Sequence, residues 1–300
     1  MGLDSTAVKF LLSARARGCV FSRTATLGRQ SLFLSPESLR EVLANGGVDV
    51  SAERATQLLI EGDGFCEPLL RLLGATDTSS IDFSPYQSAT ITHDLNQPVP
   101  ESLRRRFSLV LDGGTLEHVF NFPRAMANCM EMLEVGGHFL GISPANNFMG
   151  HGFYQFSPEL YFRVFSPGNG FESPRIILYQ DHWPVHDWYE VSDPEVVKSR
   201  VTLVNRHPTL MLIQARKTED VPLFSPIPQQ SDYAAWWADS ARAHRNGLMR
   251  PGSENPPPPP ASAVRSSLTR LIPAALKSRY HRWRSGENPF NPAHYTRTGH

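Results

Sequence analysis

The chain has little cysteine. Cys19, Cys66 and Cys129 are far apart, odd in number and without a CxxC spacing. This argues against a disulfide-stapled fold, and reduced thiols in a cytoplasmic protein are the expectation. An excess of one charge is also lacking. Lys plus Arg and Asp plus Glu each number 29, so the net charge is zero. There is no global basic field for nucleic acid. No segment approaches the roughly 20 apolar residues of a membrane span, so no transmembrane segment is expected. The first residues lack the apolar block of a secretory signal. Met1-Gly2 with Thr6 formally fits a myristoylation pattern, one that needs few fixed residues. No GxGxxG occurs, which ranks a nicotinamide-dependent enzyme last among the candidate functions.

What is present is uneven. Hydrophobic residues make up 40% of the 300, and many of the 25 prolines lie beyond residue 184. The spacing predicts an ordered domain over residues 1–217 and a Pro-rich, partly folded tail over 218–300. In the tail, Pro256–Pro260 reads as polyproline II, Asp232–Arg245 as a helix carrying Trp236 and Trp237, and Val264–Trp283 as a basic, weakly amphipathic stretch. The tail is expected to be solvated, with docking to a partner or an anionic surface as the alternative.

The most informative segment is Phe107–Ser143. An apolar run from Phe107 to Leu111 ends in Asp112-Gly113-Gly114. A helical pattern follows, then Gly136-Gly137, then a second apolar run from His138 to Ile142. That is a βαβ unit, whose strands present ligand sites at their carboxyl ends. Upstream, a short helix is expected in residues 1–20 and a first strand over Arg23–Gly28. Ser35-Pro36 opens a helix that Asn45-Gly46-Gly47 stops. Ser51–Ile60 and Phe65–Leu73 read as two further helices. Ser79–Phe83 and Ala89–His93 read as short strands, and Pro100–Arg105 as a helical crossover. Downstream, Asn146–Phe156 reads as a loop and Ser157 as the cap of a helix over Pro158–Phe165. Arg175–Gln180 is a strand, residues 181–191 a wet aromatic loop, and Thr209–Ala215 the final strand. The alternation predicts an α/β fold, doubly wound, with a mostly parallel sheet and helices on both faces.

Leu116-Glu117-His118-Val119, Asn121-Phe122-Pro123 and Gly136-Gly137 together resemble class I S-adenosylmethionine-dependent methyltransferases, particularly the type-11 group. The resemblance spans roughly residues 20–217. It implies a Rossmann-like methyltransferase sheet, S-adenosyl-L-methionine as cofactor, and a small-molecule or glycan acceptor. It implies that Asp82, after the second strand, holds the ribose hydroxyls. Asp94 and Leu95, after the third, would border the adenine. Gly28, Asp112, Gly113, Gly114 and His118 would complete the cofactor site. The family's first loop reads Asp/Glu-x-Gly-x-Gly-x-Gly, whereas here Thr26-Leu27-Gly28-Arg29-Gln30 offers one glycine. A rival placement puts the first strand at Gln57–Ile60 and the loop at Glu61-Gly62-Asp63-Gly64. The alternative function is a non-catalytic binding or scaffold protein on the same fold.

Individual residues carry two readings each. His151, flanked by glycines, is a candidate general base, with Tyr154 and Gln155 orienting the acceptor. The plainer reading is a loop whose aromatics cap the core. Glu117 reads as a ligand contact or a helix-capping carboxylate, and His118 as a contact or a packed ring. Asp112 is expected at the rim of the site. His182, His186 and Asp187 have metal-like spacing, but Pro184 forbids a regular helix there, and no metal site is expected.

Overall fold

The computed structural model describes residues 2–180, 187–225, 227–235, 237 and 290–298. Its elements run β1 (Gly2–Leu3), α1 (Ser5–Ala16), β2 (Arg23–Leu27), β3 (Ser31–Leu32), α2 (Pro36–Asn45), α3 (Ala52–Glu61), α4 (Glu67–Leu72), β4 (Asp77–Asp82), β5 (Ile91–Thr92) and β6 (Phe107–Asp112). Then come α5 (Phe122–Met132), β7 (Leu133–Asn146), α6 (Pro158–Val164), β8 (Arg175–Gln180), β9 (Trp188–Val191), α7 (Pro194–Val197), β10 (Thr209–Arg216) and β11 (Tyr295–Thr298).

The main sheet has the order β11-β9-β8-β10-β7-β6-β2-β4-β5. The pairs β4–β5, β2–β4, β2–β6 and β6–β7 are parallel. Only β10 and β9 run against the other strands. The chain moves outward from β2 to one side through β4 and β5, then returns to the other side through β6 and β7. The sheet is therefore doubly wound, Rossmann-like and mostly parallel, and its switch point lies between β2 and β6.

Both faces are covered, so the central strands are apolar on both sides. On β10, Met211, Ile213 and Ala215 face the cluster that holds α5 and α6. Leu212 between them faces the cluster built on α1, α2 and α4. The helix starts follow side-chain chemistry. The hydroxyls of Ser35 and Ser51 accept the amides of Ser38 and Arg54, and Asp4 does the same for Ala7.

Several expectations are corrected. Gln57–Ile60 lies inside α3, so the first strand is β2 and the loop after it begins at Gly28. The crossover at Pro100–Arg105 is a single 3-10 turn, Glu101–Leu103. Pro98 and Pro100 deny it amide donors, and Arg105 takes φ 53°. Buried Asn128 stands in for the missing helix, donating to the carbonyls of Leu95 and Gln97 and accepting the Val99 amide. Gly136-Gly137 turns the chain inside β7 rather than before it: β7 begins directly after α5 at Leu133, and its register with β6 shifts between Leu133 and His138, with Gly136 at φ 88°. The buried Lys217 ammonium satisfies the carbonyls of Met130 and Leu133 at that junction. Ser157 makes no side-chain cap bond to α6. Trp188–Val191, read as wet loop, is strand β9 with Trp188 buried. Thr209–Ala215 is not the last strand, since β11 pairs with β9 and buries Tyr295. Of the expected helix at Asp232–Arg245, residues 232–235 and Trp237 are helical. Trp236, residues 238–245, Pro256–Pro260, Val264–Trp283, His182, Pro184 and His186 lie outside the described residues.

Candidate functional site at the carboxyl edge of the sheet

Register brings the implied residues to one edge. Leu27, the last residue of β2, pairs with Ile81 on one side and Asp112 on the other. Gly28 therefore stands level with Asp82 and Gly113 at adjacent strand ends. Asp82 pairs with Thr92 of β5, and Asp94 follows two residues later. Asp82 is half-buried, and its carboxylate has one described partner, the Ser84 amide at 3.3 Å. Asp94 Oδ1 accepts the Asn96 backbone amide at 2.9 Å and its side-chain amide at 2.8 Å. Those bonds favour the ionised form and hold its pKa below the ordinary 3.8. Leu95 is buried in the core beside it.

The β6 side is different. Asp112 is fully buried, not at a rim. Its Oδ1 accepts the Thr115 amide at 2.8 Å, while Oδ2 has no hydrogen-bond partner. Glu117, on the 3-10 turn Leu116–His118, is 1% exposed, and its Oε2 also has no partner. Burial and the charge of Glu117 push the Asp112 pKa well up. Burial lifts Glu117 from 4.5 to about 7. Glu117 thus does not cap a helix: α5 begins later, after Asn121.

The crevice at the switch point is filled from within. Gln30 Nε2 and the Thr115 hydroxyl both donate to the Leu27 carbonyl. A Cβ on Gly113 would lie 2.3 Å from Gln30 Oε1, so the close approach that Gly113 permits is made by Gln30. Gly114, at φ 95°, faces Glu117 in the same way, with 3.2 Å from its Cβ position to Oε1. Nothing in the sequence marks Gln30, a lone amide after Gly28-Arg29.

The loop after β7 folds back onto Glu117. The amides of Phe153 and Tyr154 donate to the Glu117 carbonyl at 2.8 and 3.3 Å. Gly152 sits at φ 71°, where a Cβ would lie 2.8 Å from that carbonyl oxygen, so only glycine fits there. The Tyr154 hydroxyl donates to the Phe120 carbonyl at 2.7 Å, and Gln155 Oε1 accepts the Phe148 amide. Tyr154 thereby fixes the loop, and its hydroxyl proton is committed. The result is that His151 Nε2 lies 3.4 Å from Glu117 Oε1 and the His118 ring 5.0 Å from the His151 ring, edge-on. Burial, then His151, lowers the His118 pKa. Both imidazoles are exposed to solvent. The sequence thus names His118 and His151 separately, and the fold joins them through Glu117.

No family model matches this chain, and no curated protein matches it. Solved structures do. An S-adenosylmethionine-dependent methyltransferase from Archaeoglobus fulgidus is 11% identical, covering 71% of this chain and 94% of its own, with a TM-score of 0.38. The Burkholderia thailandensis 1,6-didemethyltoxoflavin-N1-methyltransferase, solved with 1,6-didemethyltoxoflavin and S-adenosylhomocysteine, is 12% identical over 72% of this chain and 78% of its own, with a TM-score of 0.37. The C9 mutein of the branched-chain polyamine synthase of Thermus thermophilus, solved with N4-aminopropylspermidine and 5'-methylthioadenosine, is 13% identical over 73% of this chain and 57% of its own, again with a TM-score of 0.37.

Proposed function

We propose that the chain is an S-adenosylmethionine-dependent methyltransferase acting on a small-molecule or glycan acceptor. The observation that carries this reading is the alignment of Asp82, Gly28 and the Asp112–His118 segment at adjacent strand ends, in the order the Leu116–Val119 motif implies. In this reading the Asp82 carboxylate accepts the ribose hydroxyls, as a carboxylate does in dinucleotide sites. Its single long bond to Ser84 leaves acceptor capacity for them. Asp94 and Leu95 border the adenine, and Gly28, Gly113, Gly114 and His118 border the methionine end. The cofactor, when bound, supplies a methyl group on a sulfonium, which needs in-line positioning more than covalent assistance.

The remaining work falls to the chain. An acceptor hydroxyl or amine has to lose a proton, and His151 is the group suited to take it. Its Nε2 faces the Glu117 carboxyl, which orients the ring. Tyr154 positions the loop that carries His151, through its bond to Phe120.

Gln30 favours a second reading. Its side chain occupies the space over Gly113, as expected of a binding or scaffold protein that kept the fold and closed the methionine end. Calorimetry with S-adenosylmethionine and S-adenosylhomocysteine separates the two. A methyltransferase binds both, and Asp82→Ala weakens binding at least tenfold. Absence of heat from either ligand at millimolar concentration sinks the first reading. Binding that appears only in Gln30→Ala favours the second.

A further inference from the structure

We infer that Glu117, His118 and His151 form a binding site for a divalent transition-metal ion of the zinc type. One ligand atom from each of the three lies within 4.8 Å of the others. Two imidazole nitrogens and one carboxylate oxygen are the donor set that zinc and its first-row neighbours take when a further position stays open for water or substrate.

Three observations carry the inference beyond mere proximity. First, the Glu117 carboxyl is 1% exposed, and its Oε1 faces His151 while Oε2 has no hydrogen-bond partner. A carboxylate buried with so few partners is costly, and a cation held at Oε1 balances its charge. Second, the loop carrying His151 is fastened to the residue it must meet. The Glu117 carbonyl takes two amides of that loop, and Gly152 packs against the same carbonyl with no room for a side chain. The Tyr154 hydroxyl ties it again at Phe120. Such outer contacts are what fixes a metal ligand's orientation. Third, His118 and His151 are solvent-exposed, so an ion has a path to them. A zinc tetrahedron places its donors about 3.3 Å apart. His151 Nε2 and Glu117 Oε1 are already at 3.4 Å, and only the exposed His118 ring needs to close.

The site does not depend on the methyltransferase reading. If both hold, His151 Nε2 would be a ligand and no longer the base; the ion would lower the pKa of the acceptor's hydroxyl and its proton would pass to solvent.

The test uses the full, tag-free chain, stripped with chelator and titrated with zinc chloride by calorimetry. Cobalt substitution gives a second readout through its visible spectrum. One saturable equivalent is expected, weakened about tenfold or more in His118→Ala and in His151→Ala, with loss of the cobalt spectrum. Both histidines are exposed, so these variants are expected to keep the wild-type melting temperature, whereas Glu117→Gln changes the core. Absence of saturable zinc binding overturns the inference. So does one equivalent that persists in the His118→Ala/His151→Ala double variant, because other histidines then hold it. S-adenosylmethionine binding without zinc binding ends this inference alone, and zinc binding without cofactor binding ends the methyltransferase reading alone.

Discussion

Four carboxylates stand along the carboxyl edge of the sheet, and they form two pairs of opposite character. Asp82 and Asp94, on the β4–β5 side, are half-buried. Asp94 is held ionised by the amides of Asn96. Asp112 and Glu117, on the β6 side, are buried, and each keeps one oxygen without a partner. Burial pushes both pKa values up. The same functional group is thus partly solvated on one side, where Asp94 favours its ionised form, and buried on the other, where the proton is held more tightly. The difference comes from where each chain segment goes next. After β4 and β5 it turns into solvent-facing loops, while after β6 it dives under the loop that carries His151.

The largest effect expected from this contrast is on pH-dependent stability. Glu117 has its folded pKa raised from 4.5 to about 7. The folded chain therefore keeps a proton that the unfolded chain releases between those values. Its contribution is full below pH 4.5 and is lost as pH rises through about 7, a fall of at most ~3 kcal/mol. Urea unfolding in chelator at pH 5.5 and pH 8 measures it. Glu117→Gln, neutral at every pH, is expected to flatten that decline. A variant profile running parallel to the wild type would place the slope elsewhere.

A somewhat smaller effect tests how the two sides meet at the switch point. Gly113→Ala puts a Cβ 2.3 Å from Gln30 Oε1. The amide must move and give up its bond to the Leu27 carbonyl. A cost of about 1–3 kcal/mol is expected for overpacking of this kind. Removing the obstacle with Gln30→Ala is expected to recover most of the Gly113→Ala loss, a coupling of about 1 kcal/mol or more in a double-mutant cycle. Additive losses would show that Gln30 does not fill this crevice in solution.

The sequence made one side of the comparison easier to read than the other. β-branched residues ending at a glycine marked β2, an apolar run marked β6, serine caps marked α2 and α3, and the resemblance set Asp82 and Asp94 at strand ends. The buried side left weaker traces. A three-residue 3-10 turn has no hydrophobic period, so the inward direction of Glu117 was not visible in Leu116-Glu117-His118. Gln30 fills its crevice through a tertiary contact with Gly113, and tertiary contacts leave no local pattern. Strand β9 was hidden by its polar neighbours. Strand β11 pairs with β9 from about a hundred residues further along, beyond any local signal. His118 and His151 were each legible as candidates, but their junction at Glu117 depends on the loop after β7 folding back.

The smallest expected effect lies on the exposed side and has the opposite sign. The bonds from Asn96 hold the folded pKa of Asp94 below 3.8. Stability from that charge is therefore complete above the unfolded value and is lost as pH falls through the folded one. Asp94→Asn keeps the shape and removes the charge, so it is expected to soften the acid limb below pH 3.8 and leave the limb between pH 5 and pH 8 unchanged. Glu117→Gln is expected to do the reverse. Acid titration of both variants, followed by circular dichroism, reads the two limbs in one experiment. If Asp94→Asn altered the neutral limb instead, the Asp94 turn would be electrostatically joined to the buried pair, and the division of the edge into two independent sides would fail.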